Sequence, residues 1–216
     1  MTDIRSEKRE MTMRTPLRLP LIAALVLLAA CGRDPIPAEP IVAAPTASAE
    51  ADFSVYELET RWRDADGRER ALGSLAGRVQ VVAMVYTECA HTCPLIVAEM
   101  KRLEAALTPA DRARTGFVLV SMDPARDTPA RLAAFAASMR LDPAAWTLLT
   151  ADDDAVRELA ALLGIRYRPE SDGQISHSNT YLVLDGAGRI IHRQDGVGRG
   201  VAPVLTRIRA AASDAR

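Results

Sequence analysis

The chain has 216 residues, 49% of them hydrophobic and 25% charged, which suits one ordinary domain with a packed core plus a short appendage and excludes global disorder. A net charge of −1 supplies no basic field for nucleic acid. Three cysteines, Cys31, Cys89 and Cys93, are too few for a secreted scaffold held by disulfides. Lysine occurs only at Lys8 and Lys101, and the abundant arginine reads as solvated surface.

The first element is an address. Arg14 and Arg18 precede an apolar run of 12 residues, Leu19 to Ala30. About 20 are needed to span a bilayer, so the run has the shape of a secretory signal peptide. It ends Leu28-Ala29-Ala30-Cys31, which resembles a bacterial lipoprotein signal. That resemblance implies a signal peptide over 1–31, diacylation of Cys31 and a lipid anchor in a bacterial membrane, with the domain facing the periplasm or exterior. Each buried acyl methylene contributes roughly 0.8 kcal/mol, and two chains anchor durably. Gly32, where an aspartate would favour retention, points to the outer membrane in a Gram-negative cell. The charged stretch before Met11 and Met13 is unusual for a leader, so either methionine is a candidate start. Residues 32–52 carry Pro35, Pro37, Pro40 and Pro45 among alanines, the composition of an extended tether.

A folded domain is expected over 53–212. Phe53, Tyr56 and Leu58 open a β-region, and Asp64-Ala65-Asp66-Gly67 is a hairpin turn signal. Val81 to Tyr86 is a continuous apolar run, the mark of a strand buried on both faces. Thr87 to Thr92 is a loop, and Pro94 opens a helix with Ile96, Met100, Leu103 and Leu107 on one face. Phe117 to Val120 is a second buried strand. Thr128-Pro129 starts a helix as N-cap and first residue, lined by Leu132, Phe135, Ala136 and Met139. Thr147 to Leu149 is a short strand. A helix from about Asp154 buries Val156, Leu159, Ala160 and Leu163 and stops at Gly164. Tyr181–Leu184 and Arg189–His192 form a hairpin across Asp185-Gly186-Ala187-Gly188. A last helix carries Val201, Val204, Leu205 and Ile208.

Strand–helix alternation closing on a hairpin and a helix predicts an α/β domain, its sheet mostly parallel with helices on both faces. The order resembles a thioredoxin-like fold with an N-terminal β-hairpin and an inserted helix.

The chemistry concentrates where the first central strand gives way to its helix, the end at which α/β sheets bind ligands. There the chain reads VYTECAHTCP, residues 85–94. Cys93 abuts the helix N-terminus, whose free N–H groups and dipole favour a thiolate. Two thiolates at this spacing either bond to each other or share a soft metal ion. A redox thioredoxin has two residues between its cysteines and a proline in the loop that faces them. This chain has three, and its loop 174–180 offers His177 instead. In a thioredoxin-like fold that loop brings His177 beside the sulfurs. Two sulfurs and an imidazole suit Cu(I) or Cu(II), whereas zinc normally asks for a fourth ligand.

VYTECAHTCP, SMDPARDTP (121–129) and HSNTYLVLD (177–185) together resemble the SCO/SenC family, in the family's order. The resemblance spans 53–212. It implies a membrane-tethered, thioredoxin-like copper protein with Cys89, Cys93 and His177 as copper ligands. It also implies a partner, the copper-bearing subunit of cytochrome c oxidase or another copper acceptor, in assembly of the binuclear copper centre. Many members are held by a transmembrane helix, where this chain is expected to use a lipid. His91 does not carry over as a ligand.

Asp123 and Asp127 are candidates for groups behind the ligands, or for docking or helix capping. His192 reads as a surface or structural residue and Trp62 and Trp146 as packing. No P-loop, Ser-His-Asp order or dinucleotide fingerprint is present. Two main functions follow, a copper metallochaperone or a thiol–disulfide oxidoreductase cycling the Cys89–Cys93 pair between dithiol and disulfide. A thiol peroxidase ranks last, since the activating polar set of a peroxidatic cysteine is missing. The oligomeric expectation is a monomer.

Overall fold

Residues 53–214 are described by a computed structural model, so the leader, Cys31 and the proline-bearing tether lie outside the described residues. Among the described residues no helix is long and apolar enough to cross a membrane. The elements are β1 (Arg61–Asp64), β2 (Glu69–Ala71), β3 (Val79–Val85), α1 (Thr92–Ala106), α2 (Pro109–Ala113), β4 (Thr115–Ser121), α3 (Pro129–Met139), β5 (Trp146–Thr150), α4 (Asp153–Leu162), β6 (Tyr167–Pro169), β7 (Ile175–His177), β8 (Thr180–Leu184), β9 (Ile190–Asp195) and α5 (Ala202–Asp214).

Seven strands form one sheet in the order β2-β1-β5-β4-β3-β8-β9. β3, β4 and β8 are buried at every position, which requires cover on both faces. β3 pairs in parallel with β4 from Val79↔Thr115 to Val85↔Ser121, and β4 in parallel with β5. All other pairs in this sheet are antiparallel. The expected mostly parallel sheet is therefore parallel only at its three-strand centre. Short turns join β1 to β2 and β8 to β9, and a tight turn can only reverse a strand.

Helix α1 buries Ile96, Met100 and Leu103 completely, the face its spacing predicts. It packs against β3 and α5, and Lys101 Nζ donates to the Met139 carbonyl at the end of α3 at 2.7 Å. Thr128 caps α3 through its hydroxyl, which accepts from the Arg131 N–H, with Pro129 at the first position. Asp152 caps α4 by accepting from the Ala155 N–H at 2.8 Å. Gly164, at φ +61, ends that helix, and the Ile165 N–H returns to the Ala160 carbonyl at 2.8 Å. A left-handed residue at this place is the common helix stop.

Three segments depart from the sequence expectation. Val55–Glu57 is a 3-10 turn, not a strand, because the Ser54 hydroxyl accepts from the Tyr56 N–H and folds the backbone back on itself. α2 follows Thr108-Pro109, which repeats the cap-then-proline signal seen at α3. Finally, β6 and β7 pair only with each other, from Tyr167↔His177 to Pro169↔Ile175. Their polar, three-residue strands carry no alternation that a sequence reading detects, and this small hairpin is the arm that bears His177.

Candidate metal centre

The chain leaves β3 at Val85 and makes a tight loop, in which the Cys89 N–H donates to the Tyr86 carbonyl at 3.2 Å. α1 then begins at Thr92, with His91 at the N-cap making no side-chain cap bond. The start of a helix leaves N–H donors without intrahelical partners. Here a sulfur takes that place, and the Cys93 N–H donates to Cys89 Sγ at 3.3 Å. The Thr92 hydroxyl lies 3.5 Å from the same sulfur. Burial pushes the Cys89 thiol up, but the Thr92 hydroxyl, the Cys93 amide and thiol, and the His91 backbone favour the thiolate and bring it down to about 5.

Cys93 behaves oppositely, and this corrects the expectation that the helix N-terminus makes it a thiolate. Its side chain is fully buried, and burial pushes the thiol up, reinforced by the neighbouring Cys89 sulfur and by Asp127. The helix N–H that was expected to stabilise its charge is spent on Cys89. Both sulfurs are buried, but their surroundings favour the thiolate at Cys89 and the protonated thiol at Cys93.

His177 ends β7 and reaches both. Its Nδ1 lies 3.0 Å from the Ser178 carbonyl. A carbonyl only accepts, so Nδ1 carries the hydrogen and Nε2 presents its lone pair. Nε2 lies 3.6 Å from Cys93 Sγ and 3.3 Å from Thr92 Oγ1. The donor atoms of Cys89, Cys93 and His177 all lie within 4.8 Å of one another. Ligands bound at about 2.0–2.3 Å to a shared ion stand at most about 4.6 Å apart, so metal binding needs only a slight contraction. Cys89 and Cys93 are not joined by a disulfide in this structure. Two sulfurs and one imidazole nitrogen, joined by no fourth His, Cys, Asp or Glu among the described residues, fit copper better than zinc.

The surroundings fix this geometry. Tyr86 meets the His177 ring edge-on, with centroids 6.0 Å apart. Its hydroxyl donates to Gln174 Oε1 at 3.0 Å and accepts from the Ile175 N–H at 3.3 Å, so it holds the β6–β7 arm. Asp127 is fully buried. Its carboxylate accepts from the Thr87 N–H at 3.1 Å, the Thr87 hydroxyl at 2.5 Å and the Ser121 hydroxyl at 2.6 Å. It braces the loop two residues before Cys89, while the capping role falls to Thr128. Asp123 pairs with Arg126, and its backbone N–H donates to the Ser121 hydroxyl oxygen at 3.0 Å. Neither acid touches a sulfur. Sequence reasoning missed Thr92, Tyr86 and Arg126. Their residue types carry no metal-ligand signal, and only the folded loop reveals their contacts.

The remaining candidates lie elsewhere. His91 is exposed, and His192 sits half-buried on β9. Trp62 is fully buried and donates to Thr60 at 2.9 Å. Trp146 stacks on Phe117 at 4.8 Å and donates to Glu104 at 2.9 Å. A groove of about 360 Å³ lined by Arg166, Tyr167, Arg168, Ser176, His177 and Ser178 opens onto the histidine. A larger cavity, about 550 Å³, is lined by Asp185, Arg189 and Arg207 and includes none of these side chains.

Residues 53–212 match the family model described as SCO1/SenC. Among solved structures, the chain is similar to a SCO1/SenC family lipoprotein from Bacillus anthracis, at 23% identity over 73% of this chain and 96% of that one, with a TM-score of 0.66. It is similar to BsSco, a member of the Sco family of cytochrome c oxidase assembly proteins in which a disulfide switch has been identified. There the identity is 27% over 73% and 94% of the two chains, with a TM-score of 0.63. It is also similar to copper-bound ScoI from Bradyrhizobium japonicum, at 22% identity over 70% and 96%, with a TM-score of 0.60. The fold is the thioredoxin-like one that the order of elements resembles.

Proposed function

We propose that this chain, which belongs to the SCO1/SenC family, is a copper metallochaperone that holds one copper through Cys89, Cys93 and His177 and passes it to a target protein. The observation that carries this reading is the cluster of two sulfurs and one imidazole within 4.8 Å. Copper is the cargo here. Soft sulfurs hold Cu(I), and the imidazole completes a set that also holds Cu(II). An incomplete coordination shell leaves room for an incoming ligand, and the groove beside His177 gives that ligand a path. Copper bound to ScoI, and the oxidase assembly role of the family to which BsSco belongs, support copper as the cargo and the copper-bearing subunit of cytochrome c oxidase as the acceptor.

Anaerobic titration of the reduced full chain tests this directly. Saturation at one copper per chain is expected, and it should vanish once the two thiols are oxidised to a disulfide. Stoichiometric binding that survives this oxidation would place the metal elsewhere.

A second reading is favoured by the contrast between the two thiols. Cys89 is poised as the attacking thiolate and Cys93 as the buried resolving thiol. Attack of Cys89 on a partner disulfide forms a mixed disulfide and releases one partner thiolate. Attack by Cys93 then releases the second, leaving Cys89–Cys93 oxidised by two electrons. The disulfide switch of BsSco is in keeping with this chemistry.

The domain assignment, with leader 1–31, tether 32–52 and metal domain 53–212, belongs to the same proposal, as does a lipid anchor on Cys31 in the cell envelope. The B. anthracis relative is a lipoprotein. Replacing Cys31 with alanine is expected to move the chain from the membrane to the soluble fraction. Unchanged membrane association of Cys31→Ala would rule out the lipid anchor.

A further inference from the structure

One guanidinium ties together the two arms that carry the proposed ligands. The β6–β7 hairpin lies outside the seven-stranded sheet, so no ladder to a central strand fixes its position. It delivers His177 from its second strand. Its turn places Gly173 at φ +80, a conformation that glycine adopts freely, and thereby presents the Gly173 carbonyl outward. Arg126 Nη2 donates to that carbonyl at 2.8 Å. Its Nη1 donates to Glu88, the residue before Cys89, at 3.0 Å. Its Nε donates to Asp123. Glu88 is held a second time by Arg131 at 2.9 Å. Three nitrogens of one rigid planar group thus join the cysteine loop, the β4–α3 loop and the histidine hairpin.

We propose that Arg126 is a positioning residue for metal binding, clasping the hairpin of His177 to the loop of Cys89 and so fixing where the imidazole meets the sulfurs. This rests on the three-ligand reading above. Arg126 bonds to none of the three donors. Its side chain is 33% exposed, and ion pairs this open stabilise a fold little, so its effect falls on the placement of the hairpin. A planar fork with several donors in fixed directions does this, whereas a lysine offers one compact ammonium without that fixed geometry. Tyr86 grips the same hairpin from within, at Gln174 and Ile175. Arg126 adds the outer tie and links it to Glu88.

The test compares Arg126→Gln, Arg126→Lys, Arg131→Gln and His177→Ala in the full chain. In Arg126→Gln, Cu(II) affinity should fall roughly tenfold, the lower end for residues that orient a metal-bound histidine. The EPR nitrogen coupling of His177 should broaden, and in the copper-free chain the amides of 173–178 should exchange faster with solvent. Arg126→Lys should lie between, and Arg131→Gln, which loosens Glu88 without touching the hairpin, should lower affinity less than Arg126→Gln does. If Arg126→Gln keeps the parent's affinity and EPR spectrum while His177→Ala loses both, the clasp is overturned and the ligand set stands. If His177→Ala also binds like the parent, the three-ligand site fails and the clasp with it.

Discussion

His177→Ala is expected to lower Cu(II) affinity by roughly a hundredfold or more, beyond the 10–100-fold typical for residues that only orient a ligand. Cu(I) should be retained, because two thiolates satisfy a soft monovalent ion that accepts low coordination. The substitution removes the only nitrogen donor of the cluster and leaves the sulfurs untouched. The bond from the Cys93 N–H to Cys89 Sγ comes from the backbone at the start of α1, so the cysteine loop should keep its shape. Disulfide formation between Cys89 and Cys93 should therefore proceed as in the parent. This combination separates the two readings of the site. A metallochaperone loses its Cu(II) state with the imidazole, whereas an oxidoreductase keeps its two-electron cycle. Cu(II) affinity in His177→Ala equal to the parent's would remove the imidazole from the ligand set. Lost disulfide formation would instead mean that the histidine holds the loop.

The sulfur pair was legible because its signal is local. A buried strand, a short loop and a helix place Cys89 and Cys93 at the end of β3 by covalent proximity alone. His177 was legible for a different reason, since its placement needed the thioredoxin-like topology to bring a distant loop across the sheet. The charge on the two sulfurs was not legible. A helix N-terminus in sequence says that free N–H groups exist, but not which neighbour accepts them. The fold gives the Cys93 N–H to Cys89 and buries Cys93 itself, reversing the thiol expected to be acidic. The same limit hid the β6–β7 hairpin. Three-residue strands of Tyr167–Pro169 and Ile175–His177 carry too few alternating positions to stand out from loop. The contacts that tie this hairpin to the rest of the domain come from Tyr86 and Arg126, some 50 to 90 residues away in the chain.

Distance in sequence matters in the same way for Asp127, whose loss should produce the largest fall in stability among the residues around the site. The carboxylate is fully buried, and its donors are the Thr87 N–H, the Thr87 hydroxyl and the Ser121 hydroxyl. Asp127→Ala leaves all three without an acceptor. Hydroxyls can rotate toward other partners, but the Thr87 N–H is fixed by the backbone, and one stranded buried donor costs about 1–3 kcal/mol. Adding the lost hydroxyl bonds gives roughly 2–4 kcal/mol. A domain of this size loses about 2–4 °C of Tm per kcal/mol, so Tm should fall by roughly 5–15 °C. Asp127→Asn should fall less, because its carbonyl oxygen still accepts while its NH2 group faces donors. Asp127 touches no ligand, so below its Tm the alanine variant should still take up one copper per chain. A Tm within about 1 °C of the parent, far short of that fall, would show that the buried carboxylate is not the brace of the cysteine loop. Loss of copper stoichiometry in the folded variant would instead make Asp127 part of the binding set, and the three-donor description would have to be widened.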